Sequence, residues 1–309
     1  MKNNHAQFAD PEVPSVRSML GFDILSTAVA PAIWGSTYIV TTELLPAGVP
    51  LTVAMLRALP AGIALLAIVR TLPRGVWLWR SFLLGAFNFS VFWWLLFVSA
   101  YRLPGGVAAT VGAIQPLIVI GLARFVLGNP VRFPAVASAL AGIAGVALLV
   151  LTPAAMLDPI GIMAGLGGAL SMACGTVLSR KWQPPVSALT FTAWQLTAGG
   201  LLLLPVALSL EPFPLDLTAA NAVGFTWLGL IGAAATYFLW LRGIARLEPA
   251  VVSFLLFLSP LTAVVLGWAF LDQTLSPAQF SGVILITGGI WFGQRSQKKI
   301  GSRLEVRMR

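Results

Sequence analysis

Long apolar segments alternate with short polar breaks along nearly the whole chain. A helix that rises 1.5 Å per residue needs about 20 residues to cross a hydrocarbon core of ~30 Å. Ten segments have about this length, at 22–42, 50–69, 81–101, 105–126, 134–151, 159–179, 188–208, 221–241, 249–271 and 278–294. The pattern predicts an all-α integral membrane protein with ten transmembrane helices.

Composition agrees with this pattern, because 58% of the 309 residues are apolar and 9% are charged. Water-soluble domains carry about 25% charged residues, so a soluble class is excluded. The formal net charge of +9 comes from basic residues in short loops and a tail. They are not interleaved with aromatic residues, so they indicate membrane topology rather than nucleic-acid binding.

The basic residues fall in alternate loops, and this bias predicts the orientation of the chain. The loops on the other side hold one basic residue, Arg102, beside acidic residues such as Glu43 and Asp158. The loops and termini of the first side hold Lys2, Arg17, Arg70, Arg74, Arg80, Arg124, Arg132, Arg180, Lys181, Arg242, Arg246 and the basic tail. We therefore expect a multi-pass protein of the bacterial inner membrane with both termini in the cytoplasm.

The chain contains an internal repeat. Residues 102–149 match 246–292, with Arg102 aligned to Arg246 and the QPL motif at 115–117 aligned to SPL at 259–261. A duplicated unit with five spans must be inverted in the membrane, which is typical of secondary transporters. The predicted units are a cytoplasmic tail 1–21, repeats 22–151 and 159–294, and a basic cytoplasmic tail 295–309.

The match between halves extends to the earlier spans. The WGS sequence at 34–36 aligns with CGT at 174–176 at an offset of 140, and Arg57 aligns with Gln195 at an offset of 138. Trp93 aligns with Tyr237 at an offset of 144. The equivalent positions therefore carry different side chains in the two halves.

Arg57 is the charged residue that lies well inside a predicted span, about 10 Å from Pro50 at 1.5 Å per residue. Charged groups at membrane depth are expensive and are functional candidates. One interpretation is a fixed cation that faces a central cavity and attracts a carboxylate or another electron-rich substrate. The other is a side chain that extends to the outer interface or pairs with helix-end carbonyls.

Other candidates are polar or aromatic residues within the spans. Gln115 and Ser259 each precede a proline, Pro116 or Pro260, that removes a backbone donor and predicts a kink near the midplane. The polar groups there either line a cavity or bond to neighbouring helices. The predicted substrate-binding set is Trp34, Arg57, Asn88, Trp93, Gln115, Gln195, Tyr237 and Ser259. We expect Gly35 and Gly175, with the two prolines, to allow close packing or bending.

The aromatic candidates have a second interpretation, because rings within spans also pack against helices or face lipid. Further aromatics in the spans include Trp94, Trp194 and Trp240. Since neighbouring residues on a helix point about 100° apart, Trp93 and Trp94 cannot both face a cavity squarely.

Several chemistries lack the residues that they need. No carboxylate lies near a predicted span centre, His5 is in the N-terminal tail, and Cys174 is the one cysteine. The sequence therefore predicts no enzyme, metal site, cofactor or ATP-hydrolysis motif, and no buried-acid proton relay. A secondary transporter is favoured, and an uncoupled channel or facilitator is the alternative from another class.

Four segments carry motifs of a known family: 34–38 (WGSTY), 57–61 (RALPA), 100–110 (AYRLPGGVAAT) and 115–117 (QPL). They resemble the EamA family of the drug/metabolite transporter superfamily. The resemblance covers about 22–294 and implies two five-helix repeats around a central cavity, alternating access and efflux from the cytoplasm. The first half is most similar to the PecM-type exporters of the blue pigment indigoidine, followed by the family's amino-acid exporters.

The resemblance implies a small-molecule substrate that is pigment-like, aromatic or derived from an amino acid. Membrane lipid is the other expected partner, and nucleic acid is not expected. A coupling proton or ion is left open, as is the choice between a monomer and a homodimer.

Overall fold

The computed structural model describes residues 16–46, 48–103, 110–150, 158–212, 217–270 and 276–307. These residues form fourteen α-helices and two π-helical segments, π1 (Ala86–Ser90) and π2 (Trp227–Ala235). The α-helices of the first half are α1 Val16–Trp34, α2 Thr37–Leu44, α3 Pro50–Val69, α4 Val76–Gly85, α5 Val91–Arg102, α6 Gln115–Leu127 and α7 Phe133–Val150. Those of the second half are α8 Pro159–Lys181, α9 Ala188–Leu210, α10 Ala219–Thr226, α11 Thr236–Arg246, α12 Pro249–Leu255, α13 Leu258–Phe270 and α14 Pro277–Arg307.

Eight helical stretches within the described residues are long and apolar enough to cross a membrane, and 133–149 is a shorter apolar helix. The stretches are Met19–Thr41, Pro50–Val69, Val76–Ser99, Thr110–Leu127, Pro159–Lys181, Ala188–Leu210, Ala219–Arg246 and Pro249–Phe270. The all-helical prediction is therefore confirmed over the described part of the chain. The number of ten spans stays a prediction. Residues 1–15 of the predicted tail and 104–109 of the repeated motif lie outside the described residues.

Three of the spans are broken near their middle. Helical residues 110–112 are separated from α6 by a turn at 113–114, and α12 is separated from α13 at 256–257. These breaks come just before the QPL and SPL motifs. Proline has no N–H to donate to the preceding turn, so these breaks follow from Pro116 and Pro260.

The third break separates α1 from α2 at residues 35–36, within a segment for which the sequence predicted one continuous span. Pro31 lies one turn before this break, where it weakens the helix. A Cβ at Gly35 would lie 2.6 Å from the carbonyl oxygen of Ser259. Glycine therefore allows α1 to approach α13 closely.

The two π-helical segments interrupt α4–α5 and α10–α11 at related places. An offset of 144 carries residues 86–90 to 230–234, which lie inside π2. Single wide turns of this kind are rare and frequently occur at functional sites. The pattern of apolar residues does not predict these π-helical segments.

Helix packing follows a paired pattern. The closest pairs are α3 with α9 and α7 with α14, which are the predicted spans 2 with 7 and 5 with 10. The predicted spans 3 and 6 meet as α5 and α8, and spans 8 and 1 meet as α11 and α1. If each span is replaced by its equivalent in the other half, five positions away, the pair 3–6 becomes 8–1, and the pairs 2–7 and 5–10 are unchanged. Glycines bring the first pair together, because a Cβ at Gly200 would lie 2.6 Å from the Cα of Leu59.

Candidate functional site

Arg57 of α3 is buried, with 5% of its surface exposed. Its Nη2 donates a hydrogen bond of 2.7 Å to the carbonyl oxygen of Gly232 in π2. The guanidinium carbon lies 4.7 Å from the centre of the Trp93 ring, within the range of a cation–π interaction. Its Nε has no hydrogen-bond partner, and none of the ion pairs among the described residues includes Arg57.

Five aromatic side chains, here called the aromatic cluster, surround this region: Trp34, Phe89, Trp93, Tyr237 and Trp240. The Tyr237 ring centre lies 4.8 Å from Trp34, 4.5 Å from Phe89 and 6.1 Å from Trp93. Trp240 completes the cluster at 5.2 Å from Trp34. Four of the five are almost fully buried and Trp34 is partly buried. The cluster joins predicted spans 1, 3 and 8 beside the guanidinium.

The carbonyl of Gly232 accepts hydrogen bonds from three side chains. Besides Arg57, the donors are Trp34 Nε1 at 3.2 Å and Thr236 Oγ1 at 2.9 Å. Trp34 Nε1 also donates to Thr236 Oγ1 at 2.9 Å. A backbone dipole in the π-helical segment, rather than a carboxylate, therefore faces the buried cation. Such a dipole stabilises a cation without cancelling its charge, so the guanidinium retains attraction for an anion.

Asn88 and Gln195 form a separate buried pair. Asn88 Nδ2 donates to Gln195 Oε1 at 2.7 Å and to Ser179 Oγ at 3.3 Å. Within the part of the chain that the structure describes, Asn88 Oδ1 and Gln195 Nε2 have no hydrogen-bond partner. A Cβ at Gly175 would overlap the Asn88 side chain, so glycine leaves the space that Asn88 fills.

Gln115 and Ser259 lie at the proline-linked breaks. Gln115 is buried and its Nε2 has no hydrogen-bond partner among the described residues, while Ser259 is partly buried and lies against Gly35 through its carbonyl. Within the described residues, no hydrogen bond or ring contact joins either side chain to the cluster. Pro116 is buried and Pro260 is partly buried.

The predicted residues thus fall into separate groups in the structure. Arg57, Trp34, Trp93 and Tyr237 lie together, Asn88 pairs with Gln195, and Gln115 and Ser259 lie at the helix breaks. Four residues of the site were not predicted from the sequence: Phe89, Thr236, Gly232 and Trp240. Trp240 lies three residues after Tyr237, so their shared helix face was a usable signal. Gly232 contributes a backbone carbonyl, for which no side-chain pattern exists.

No group of three or more His, Cys, Asp or Glu side chains that could hold a metal ion occurs within the described ranges. The side chains described at the candidate site therefore offer a ligand one cation, aromatic rings and amides.

Comparison with known proteins identifies related membrane proteins. The chain is 49% identical to Protein PecM of Dickeya dadantii over 259 residues, which cover 83% of this chain and 87% of that protein. It is 29% identical over 282 residues to the chloroplastic WAT1-related protein At3g02690 of Arabidopsis thaliana, covering 84% of this chain and 66% of that protein. The Escherichia coli K12 inner membrane transporter YedA is 27% identical over 269 residues, covering 83% of this chain and 88% of YedA.

A solved structure supports the fold. A crystal structure with a TM-score of 0.75 covers 88% of this chain and 97% of its own chain at 20% identity. At that identity, the likeness concerns the fold.

The EamA-like transporter family model matches residues 22–151 and 159–293. This match and the similarity to PecM confirm the resemblance drawn from the sequence, and they point to a transporter rather than an enzyme. The described helices indicate that it crosses the membrane several times. The chain belongs to the EamA-like transporter family.

Proposed function

We propose that the protein is a secondary transporter that exports a small, planar, pigment-like or aromatic metabolite from the cytoplasm. The observation that carries the proposal is Arg57, a buried guanidinium that faces aromatic rings and a backbone carbonyl without an acidic partner. A carboxylate or an electron-rich carbonyl on the substrate would compensate its charge. The rings of Trp34, Trp93 and Tyr237 would stack on a planar body.

The proposed mechanism is alternating access by two inverted five-helix repeats, 22–151 and 159–294. Three observations support it: the helix pairs that exchange under renumbering by five, the π-helical segments at equivalent positions, and the two matches to the family model. In this arrangement α7 and α14 are the fifth and tenth spans. Repeats of this kind rock against each other around a site near the midplane.

The proposed orientation places both termini in the cytoplasm of a bacterium, with the protein in the inner membrane. The distribution of basic residues in the loops supports this orientation. The tails 1–21 and 295–309 would then lie at the cytoplasmic surface. Fusing a reporter enzyme to residue 102 or 246 tests the orientation, because we expect the first position outside and the second inside.

The proposed substrate-binding residues lie in the aromatic cluster and beside it, in the Asn88–Gln195 pair, and at the proline-linked helix breaks. Arg57 would hold the electron-rich group, and Trp34, Trp93 and Tyr237 would hold the ring. Asn88, Gln195, Gln115 and Ser259 would supply polar contacts along the path. Gly35, Gly175, Pro116 and Pro260 would permit the close packing and bending that the motion requires.

Similarity to PecM and resemblance to pigment exporters favour a planar conjugated substrate. An amino-acid exporter of the same family is the second candidate. Its substrate also has a carboxylate for Arg57, but a small aliphatic side chain would leave most of the rings uncontacted.

Accumulation in an efflux-deficient bacterium that expresses the chain tests the proposal. The panel contains amino acids, aromatic analogues, dyes and an indigoidine-like pigment, with and without a protonophore. We expect lower accumulation of planar aromatic anions, restored when the protonophore collapses the gradient. Equal accumulation of every compound would contradict export, and movement only down a gradient would favour an uncoupled facilitator.

A further inference from the structure

A cavity of about 280 Å³ lies between the start of α3, the α5 helix and the end of α9. Its walls include Leu51, Trp94 and Phe97, and Arg102 and Glu211 contribute its charged groups. The volume is close to the lower end of small-molecule sites, about 300 Å³, so it suits a molecule of one or two rings. In the proposed orientation this cavity lies at the outer side of the membrane.

The cavity is adjacent to the aromatic cluster. Trp94, Phe97 and Arg102 lie at positions i, i+3 and i+8 and therefore share one face of α5. Trp93 precedes Trp94 and points about 100° away, into contact with Arg57. From Trp94 to Arg102 the helix rises ~12 Å, so the cavity wall extends about two turns from the level of the cluster towards the helix end.

Two carboxylates near the cavity, among the described residues, accept hydrogen bonds from the N-terminal turns of helices. The two oxygens of Glu211 accept hydrogen bonds of 2.8 Å from the backbone nitrogens of Leu51 and Thr52, in the first turn of α3. Asp158 Oδ1 accepts from the backbone nitrogens of Ile160 and Gly161 at the start of α8. These backbone hydrogen bonds hold the pKa of Asp158 below its usual value, and the bond from Gly161 has the largest effect. Glu211 and Asp158 therefore stabilise helix N-termini.

Arg102 is the cation with spare donors at this site. Its ion pair with Asp158 measures 3.4 Å, and the two side chains are 45% and 35% exposed. Exposed pairs of this kind are weak. The guanidinium can therefore exchange or share this contact with another anion at little cost. Trp94, which is 45% exposed, presents an uncovered ring on the same helix face.

We propose that this cavity is a second binding site for the exported molecule, an aromatic carboxylate, after it leaves the aromatic cluster. The ring would lie against Trp94 and Phe97, and the carboxylate would bind Arg102. The inference rests on the proposed function. It is supported by chemical repetition, because Arg57 with Trp93 and Arg102 with Trp94 offer the same ligand a cation and an indole ring at successive depths.

Photolabelling of the purified full-length chain in lipid nanodiscs tests this site, with 4-benzoylbenzoate as the probe and peptide mapping by mass spectrometry. We expect label within 94–102 or 50–52, competed by benzoate. Arg102→Gln and Trp94→Ala each weaken the competing affinity at these peptides about tenfold, as expected for a lost charge-assisted or stacking contact. Arg124→Gln and Trp268→Ala are matched exposed controls on other helices, and we expect native labelling from both.

Two results would overturn the inference. One is label at the cavity that Arg102→Gln and Trp94→Ala leave unchanged. The other is label that added phosphatidylglycerol displaces and benzoate does not, which would make the cavity a lipid site. Transport by the native chain is measured in parallel. Arginine-dependent label without transport of any aromatic carboxylate would retain the site and reject the proposed function, while transport without such label would do the reverse.

Discussion

Arg57 and Gln195 occupy equivalent positions in the two halves, and each contacts the π-helical segment of the other half. Arg57 Nη2 lies 2.7 Å from the carbonyl oxygen of Gly232, and Gln195 Oε1 lies 2.7 Å from Nδ2 of Asn88. The partners are also equivalent, since 232 minus 88 is 144, the offset that aligns Trp93 with Tyr237. The backbone arrangement is therefore repeated, while the chemistry differs.

The difference indicates which contact supports the fold and which supplies charge. Where one half has glycine at position 232, the backbone carbonyl is open to a guanidinium. Where the other half has Asn88, a side-chain amide fills the equivalent region and pairs with an amide. Repeated geometry is expected of a scaffold that both halves need. The charge and the rings are concentrated beside Arg57, which is where we locate substrate binding.

The helix ends show a second difference of this kind. Arg246 pairs with Asp23 at 3.2 Å, and Arg242 pairs with the same carboxylate at 2.8 Å. The equivalent residue Arg102 makes one exposed pair of 3.4 Å with Asp158. The end near Asp23 is thus held by two ion pairs to a largely buried carboxylate, while the end near Asp158 borders the cavity.

The largest effect on export is expected from Arg57→Gln, which gives α3 the side chain that α9 has at the equivalent position. We expect export of an aromatic anion to fall about tenfold to a hundredfold, because a charge-assisted contact and a cation–π contact are both lost. Arg57→Lys should give an intermediate rate, since it keeps the charge without the planar fork. Export rates are measured at equal amounts of membrane-inserted protein. An unchanged rate would remove Arg57 from the site.

A packing variant tests the scaffold half. Gly175→Ala should lower the stability of the folded protein by about 1–3 kcal/mol, because the new methyl group overlaps Asn88 in a tightly packed contact. Thermal unfolding of the detergent-solubilised protein measures the change. Gly121→Ala is the matched control, since a Cβ there meets no atom within 4 Å. Equal melting temperatures for the two variants would contradict the packing account.

Replacing the amide pair Asn88–Gln195 tests whether its contribution to export is smaller than that of Arg57. We expect the double variant Asn88→Leu and Gln195→Leu to lower export by no more than about threefold, because the pair offers the substrate uncharged contacts that are weaker than those of Arg57. Replacing both buried partners is also nearly neutral for stability. The single variant Asn88→Leu should be less stable than the double variant, since it leaves Gln195 buried and unpaired. Export and melting temperature are measured together. A loss of export equal to that of Arg57→Gln would contradict the larger share of substrate binding that we assign to Arg57.

The smallest effects are expected at the helix ends. Asp158→Asn should leave the melting temperature almost unchanged, because its ion pair is exposed and asparagine also caps helices well. Asp23→Asn should destabilise more, since it leaves Arg242 and Arg246 without their shared carboxylate. The two melting temperatures are compared at low and high salt. A larger effect at Asp158 would reverse the proposed difference between the ends.

The sequence predicted features that depend on local chemistry. Apolar length predicted the helices, and the missing N–H of Pro116 and Pro260 predicted the breaks beside them. The repeat aligned Arg57 with Gln195. Arg57 was predicted as a site residue because a charged side chain at membrane depth is energetically costly.

Features that depend on tertiary contacts were not predicted. The π-helical segments have no sequence signature, and the partner of Arg57 is a backbone carbonyl of Gly232. The break at residues 35–36 interrupts a segment predicted as one span, although Gly35 was predicted to allow bending or packing, and its close contact with α13 is a tertiary feature. Among the described residues, no hydrogen bond or ring contact joins Gln115 to the cluster, and such contacts depend on how the helices pack. The number of spans and the positions of polar residues do not determine this packing.

The most direct test compares two substrates of nearly equal shape in everted membrane vesicles, indole-3-carboxylate and indole-3-carboxamide. The account predicts that the native chain transports the carboxylate faster, and that Arg57→Gln removes this preference by lowering carboxylate transport alone. Equal loss of both substrates, or a preference for the carboxylate that survives the substitution, would contradict a role for Arg57 in binding the substrate's anionic group.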